Sequence, residues 1–234
     1  MPKKQHFKAM LVASKGIDID SGKFLDEIFR DYIDREKLFF IAGPSFAKEV
    51  KANLPTALTI FGKNKKLVRN ILPLFPPFMK LYTNSDVRGG EIAGAYKNII
   101  AIAAGVSDGL GLGNNAKAAL LSRGLVEMTR FGRFFGAKRS TFVGLCGAGD
   151  LFLTSSSTLS RNYRVGNALA KGKKLDEILQ ELGEVAEGVP TAKAVVRISQ
   201  KKGIYTPIAN EVANIIEGKN PLDSLKDLLS YKRG

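Results

Sequence analysis

Hydrophobic and polar positions follow two different rhythms along this chain. In the first third, short apolar runs alternate with polar, helix-spaced segments. Ala9-Met-Leu-Val-Ala13 is one such run, broken by Ser14-Lys15-Gly16. Phe24, Leu25, Ile28 and Phe29 then carry helical spacing within Phe24–Tyr32. Leu38–Ala42 is a second run, stopped by Gly43-Pro44; Ala57–Phe61 is a third, and Met79–Thr83 a weaker fourth. Short apolar strands between helices predict an α/β sheet with covered faces. From about residue 88 the β-type runs cease. Helices are predicted over Ile92–Val106, Asn115–Phe135, Asn162–Lys171, Leu175–Leu182, Pro190–Lys201, Pro207–Glu217 and Ser224–Tyr231, with Gly or Pro between most of them. A boundary is therefore expected near residue 88, with α/β structure before it and an all-α region over 89–234.

Composition narrows the chemistry. The 234 residues are 44% hydrophobic and 25% charged, as in ordinary soluble globular proteins. Lys plus Arg is 36 and Asp plus Glu is 22, a net charge of +14 that favours anionic partners: nucleic acid, acidic membrane or phosphorylated metabolites. The short runs Lys63–Lys66 and Lys171–Lys174 read as solvated faces. With one cysteine, Cys146, no internal disulfide can form, which fits a reducing compartment. With one histidine, His6, near the start, a Cys/His zinc site is excluded and a histidine-dependent nucleophile is a poor expectation. Acid/base work is left to Lys, Asp, Glu or Tyr. The first residues lack a signal-peptide core, and the apolar stretch Ile92–Ser107 contains Lys97 and Asn98 and is short for a membrane span.

Lys97 is the one charge in the sixteen positions Ile92–Ser107. On a helix it shares a face with Ala93, Ala101 and Ala104, small residues that let a backbone or ligand come close. Burial would lower its pKa toward a range useful for proton transfer. A lysine snorkelling off a core helix fits the same pattern; the neighbouring Asn98 adds a neutral hydrogen-bonding group. A second cluster is Gly147-Ala-Gly149-Asp150-Leu-Phe-Leu-Thr154, then Ser155–Ser157, followed by Ser160-Arg161-Asn162 where a helix begins. Helix N-termini favour anions and Arg161 offers a fork suited to phosphate oxygens, although Ser and Asn also serve as plain caps. Gly43-Pro-Ser-Phe-Ala47 and Ser14-Lys-Gly16 each follow a predicted strand, so both loops are expected on one crevice, unless they are ordinary turns. Gly111-Leu-Gly113-Asn-Asn-Ala116 satisfies a dinucleotide fingerprint but follows a helix. It reads instead as a helix–helix loop with Asn114 or Asn115 as cap.

In order and spacing, Ser14-Lys-Gly16, Gly43-Pro-Ser-Phe-Ala47, Glu91-Ile-Ala-Gly-Ala-Tyr-Lys-Asn98, Asp108–Gly111, Asn115-Ala116, Ser122–Leu125, Gly149-Asp150, Ser160-Arg-Asn162 and Glu187-Gly188 resemble the bacterial-type NAD(P)-dependent glycerol-3-phosphate dehydrogenases, over about Ala13 to Gly218. The resemblance implies a partial Rossmann-like sheet over 1–88, the remainder of a dinucleotide-binding domain lacking its first βαβ unit. An all-helical substrate-binding and catalytic domain over 89–234 is implied to follow. Lys97 is implied as proton acceptor. Lys15, Gly43, Ser45, Lys97, Asp150, Ser160, Arg161 and Asn162 are implied as substrate contacts. Lys15, Ala47, Arg161, Val185 and Glu187 are implied as contacts to NAD or NADP, with no metal. The implied reaction interconverts sn-glycerol 3-phosphate and dihydroxyacetone phosphate in the cytoplasm, feeding glycerophospholipid synthesis. The implied partner is a small phosphorylated substrate, without nucleic acid or a membrane span, and the family makes a homodimer plausible. Family members begin with a strand, a glycine-rich turn and a helix that this chain lacks. A fragment or a misplaced start is therefore expected, with poor cofactor binding by the chain alone, and the reaction is assigned to the complete protein.

Two other readings stay open at this level. A related β-hydroxyacid dehydrogenase also uses a helix lysine followed by asparagine, but the Ser160–Asn162 cradle argues against it. A basic nucleic-acid-binding helical module is motivated by the +14 charge, against which stands the absence of aromatic residues interleaved with Lys and Arg.

Overall fold

The computed structural model describes residues 8–230. His6 and Tyr231, both named above, lie outside them. The first part runs β1 (Met10–Val12), α1 (Leu25–Phe29), β2 (Leu38–Ala42), α2 (Ala47–Lys51), β3 (Thr56–Phe61), α3 (Lys65–Ile71) and β4 (Met79–Asn84). All four strands fall on the apolar runs. They form one sheet in the order β1-β2-β3-β4. Side chains alternate across it. Leu38, Phe40 and Ala42 join the main core, while Phe39 packs with Ile60, Val68 and Ile71 beneath α3.

The sheet is mixed. β1 pairs with β2 and β3 with β4 in parallel, but β2 and β3 are antiparallel, with Ile41 opposite Ile60. The segment joining β2 to β3 folds straight back: α2 is one short helix, and Asn53 takes a left-handed φ of 57° that reverses the chain. α3 was not visible in the hydrophobic pattern, because only Val68 and Ile71 of its seven residues are buried. Its start is nonetheless encoded, since Asn64 accepts a hydrogen bond from the Leu67 N–H at 3.0 Å.

The second part is helical: α4 (Val87–Gly109), α5 (Gly113–Phe134), α6 (Arg139–Phe142), a wide π-type turn (Leu145–Gly149), α7 (Asp150–Ser155), α8 (Arg161–Ala170), α9 (Leu175–Leu182), α10 (Gly188–Lys202), α11 (Pro207–Ile216) and α12 (Pro221–Ser230). No described helix is long and apolar enough to cross a membrane. The expected loop between α4 and α5 is present, but neither asparagine caps it. Gly111 and Gly113, at φ of 70° and 82°, turn the chain so tightly that α5 begins at once and Asn114 and Asn115 fall inside its first turn.

α4 is the hub. It is apolar on nearly its whole circumference, the pattern of a central helix, and it meets β2, α5, α7, α8, α10 and α11. Glycines set how close α8 comes. A Cβ at Gly105 would overlap the Tyr163 carbonyl, and one at Gly166 the Ile102 carbonyl. The start of α4 is fixed by Asp86. Its carboxylate accepts from Gly89 N–H at 3.1 Å, Lys138 N–H at 2.8 Å and the Thr141 hydroxyl at 2.6 Å. On one flank of α4, the Tyr96 hydroxyl donates to buried Glu127 at 2.8 Å. Glu127 also accepts the Ile208 and Ala209 N–H groups at 2.9 Å each, capping α11 from outside.

Candidate active site

Lys97 follows Tyr96 on α4 and so leaves the helix in a different direction. It enters a cavity of about 450 Å3. Several stretches of chain converge there. The loop after β1 brings Lys15, whose aliphatic stem lies over Gly94; a Cβ at that glycine would come within 3.2 Å of Lys15 Cγ. The π-type turn delivers Asp150 at the head of α7, and Gly147 makes the turn possible because its backbone lies flat against the Phe142 carbonyl with no room for a side chain. The close approach of α8 to α4 brings the Ser160–Asn162 end of α8 to the cavity wall.

The floor is a charge triad. Asp150 is 2% exposed and accepts from Lys97 Nζ at 2.8 Å on one oxygen and from Lys15 Nζ at 3.1 Å on the other. One carboxylate thus serves two ammoniums. Burial is the main force on Lys97 and pushes its pKa down to about 8; the positive charge of Lys15 pushes the same way, and Asp150 opposes both. Lys97 is consequently poised to hold or release a proton near neutral pH. Cys146, close by, is pushed up to about 12 by burial, so its thiol stays protonated and unreactive.

At the wall, Ser160 is the N-cap of α8 and accepts from the Tyr163 N–H at 3.3 Å. Asn162 uses its carbonyl oxygen on the Gly188 N–H at 2.9 Å, tying α8 to the start of α10. Arg161, at the first position of α8, lies 3.4 Å from Glu184 across the mouth. Ser45, Ala47, Val185 and Glu187 line the same cavity. Every residue proposed from the sequence therefore borders it except Gly43. That glycine, at φ 144°, stands behind Ser45: its carbonyl accepts the Ser45 hydroxyl at 3.2 Å, and a Cβ there would come within 3.0 Å of the Ala57 carbonyl.

The structure adds lining residues that the motifs did not single out, Lys48 and Glu184, and gives Thr154, the last residue of the Gly147–Thr154 cluster, a place beside them. Thr154 had a legible signal, since it lies one helical turn from Asp150, and its hydroxyl donates to the Asp150 carbonyl at 2.6 Å. Lys48 and Glu184 had none, because each reaches the cavity only through the tertiary fold.

Comparison with known proteins gives a consistent set of relatives. Residues 2–68 match the family model of the NAD-dependent glycerol-3-phosphate dehydrogenase N-terminus, and residues 86–227 that of its C-terminus. The chain is 60% identical over 224 residues to the glycerol-3-phosphate dehydrogenase [NAD(P)+] of Wolinella succinogenes, covering 96% of this chain and 75% of that protein. It is also 60% identical to the Campylobacter lari protein of the same name, covering 95% and 74%. Among solved structures, glycerol-3-phosphate dehydrogenase from Coxiella burnetii superposes with a TM-score of 0.90 at 37% identity, covering 95% of this chain and 69% of that one. The Saccharomyces cerevisiae enzyme gives 0.83 at 27% identity, covering 95% and 68%.

Proposed function

The chain belongs to the NAD-dependent glycerol-3-phosphate dehydrogenase family, and from that premise we propose that it is an oxidoreductase interconverting sn-glycerol 3-phosphate and dihydroxyacetone phosphate with NAD or NADP. The observation that carries the reading is the buried Lys97–Asp150–Lys15 triad facing the helix terminus at Ser160-Arg161 across one cavity. Neutral Lys97 Nζ takes the proton of the substrate C2 hydroxyl, and in the reverse direction the ammonium returns it to the ketone oxygen. Asp150 holds Lys97 in place and keeps Lys15 beside it. Ser45 and Lys15 contact the glycerol portion, and Gly43, from behind, positions Ser45. Ser160, Arg161 and Asn162 hold the phosphate, where the free N–H groups and positive end of the ten-residue α8 favour an anion.

The residues present fit the reacting end of a dinucleotide. Ala47, Arg161, Val185 and Glu187 border the cavity, and the exposed apolar side chain of Val185 offers a flat ring a dry surface. The turns after β1, β2 and β3 carry no Gly-x-Gly-x-x-Gly sequence. When bound, the nicotinamide supplies the hydride exchanged with C2. We assign residues 1–88 to the dinucleotide-binding domain and 89–234 to the substrate domain. We further propose that the chain acts in the cytoplasm, as a homodimer working on a small phosphorylated substrate without nucleic acid, its product serving glycerophospholipid synthesis.

Substrate choice tests the reading. Binding and turnover are expected with sn-glycerol 3-phosphate and not with 3-hydroxy carboxylates lacking phosphate. The reverse preference would move the chain to a different dehydrogenase activity.

A further inference from the structure

The guanidinium proposed to grip the substrate phosphate is already in contact with an anion. Arg161 Nη1 lies 3.4 Å from Glu184 Oε2, and both side chains line the cavity mouth. The cavity's two interior cations, Lys15 and Lys97, share Asp150, a buried partner that cannot leave. Glu184 differs in both respects. It sits in the link between α9, closed by the left-handed Gly183, and α10. It is also exposed, the two side chains of the pair showing 46% and 61% of their surface. An exposed pair of this kind is weak and yields readily to a better anion. A carboxylate and a phosphate compete for the same guanidinium fork.

We infer that Glu184 is a built-in competitor for the substrate phosphate: Arg161 rests on Glu184 and exchanges it for the phosphate when the ligand arrives. The inference rests on the proposed role of Arg161 and makes Glu184 a residue that sets affinity without touching the reacting atoms. Its sign is distinctive. If Glu184 only braced the loop that carries Val185 and Glu187, removing its charge would loosen the mouth and weaken binding. As a competitor, its removal strengthens binding.

Calorimetric titration of the full chain and of Glu184→Gln with sn-glycerol 3-phosphate, inorganic phosphate and glycerol separates these outcomes. The expected result is about two- to five-fold tighter binding of both phosphates by the variant, the range open to an exposed ion pair. Glycerol binding should be unchanged, and the gain should vanish in an Arg161→Ala background. Equal or weaker phosphate binding by Glu184→Gln overturns the inference. A variant that gains affinity for inorganic phosphate, in a chain that ignores the glycerol ester, removes the proposed substrate and leaves the competition standing. Failure of the wild-type chain to bind either phosphate overturns both.

Discussion

Two consecutive residues of α4, Tyr96 and Lys97, lead to two buried carboxylates that do opposite things. Glu127 accepts from one hydroxyl and two backbone N–H groups, all neutral donors that are themselves fixed by helices. Burial raises its pKa, its three hydrogen bonds oppose that shift, and neither Tyr96 nor Glu127 lines the cavity. Asp150 is equally buried but accepts from two ammoniums, one of which burial has pushed down to about 8. Burial does not by itself mark a site. The difference lies in the donors: neutral backbone donors make a rivet, whereas a titratable donor at a cavity wall makes a proton-transfer device.

Four substitutions can break or sharpen that contrast. The largest effect is expected for Lys97→Met, which keeps the apolar stem and deletes the ammonium. Turnover should fall by about 10²-fold or more, in a variant that still melts cooperatively. Near-normal turnover would remove Lys97 from catalysis. Glu127→Ala should do the reverse. It orphans the Tyr96 hydroxyl and two N–H groups, and should cost on the order of 3 kcal/mol of stability, read by denaturant titration. KM values of the folded protein should stay unchanged.

The third and fourth tests act on the proton itself. Because the neutral form of Lys97 is the base, kcat/KM for glycerol phosphate oxidation should rise with pH through about 8, and ketone reduction should fall over the same range. Lys15→Met removes a repelling charge and should move that inflection to higher pH. Asp150→Asn removes an attracting one and should move it lower, along with a loss of rate from misplaced Lys97. Shifts in the same direction for both variants would mean that the triad does not set the lysine's pKa. The linkage to stability has a definite sign as well. The folded pKa of about 8 lies below the ordinary 10.5, so the unfolded chain binds more protons between those values. The contribution of Lys97 to stability therefore rises with pH across that window, and Lys97→Met should flatten that rise in thermal melts.

The chain's sequence determined a good deal by itself. Four apolar runs became four strands, because short β-rich stretches between turn residues have few other ways to bury themselves. The lone lysine in Ile92–Ser107 was visible because a charge in a helix apolar all round demands an explanation. Ser160 showed itself as a cap, since capping is local chemistry. α3 escaped because a seven-residue helix with two buried positions leaves almost no periodic signal. The antiparallel turn between β2 and β3 escaped because strand direction depends on how a short segment folds back. Tertiary structure alone decided that Asp150 would sit between Lys15 and Lys97, residues 135 and 53 positions away in the chain. It also decided that Glu127 would cap a helix 81 residues further on, and that Glu184 would face Arg161. Periodicity and capping act within one or two turns and can be read along the chain. The pairing of a buried charge is set by which distant backbones can approach, and here Gly105, Gly147 and Gly166 permit that approach by having no side chain in the way.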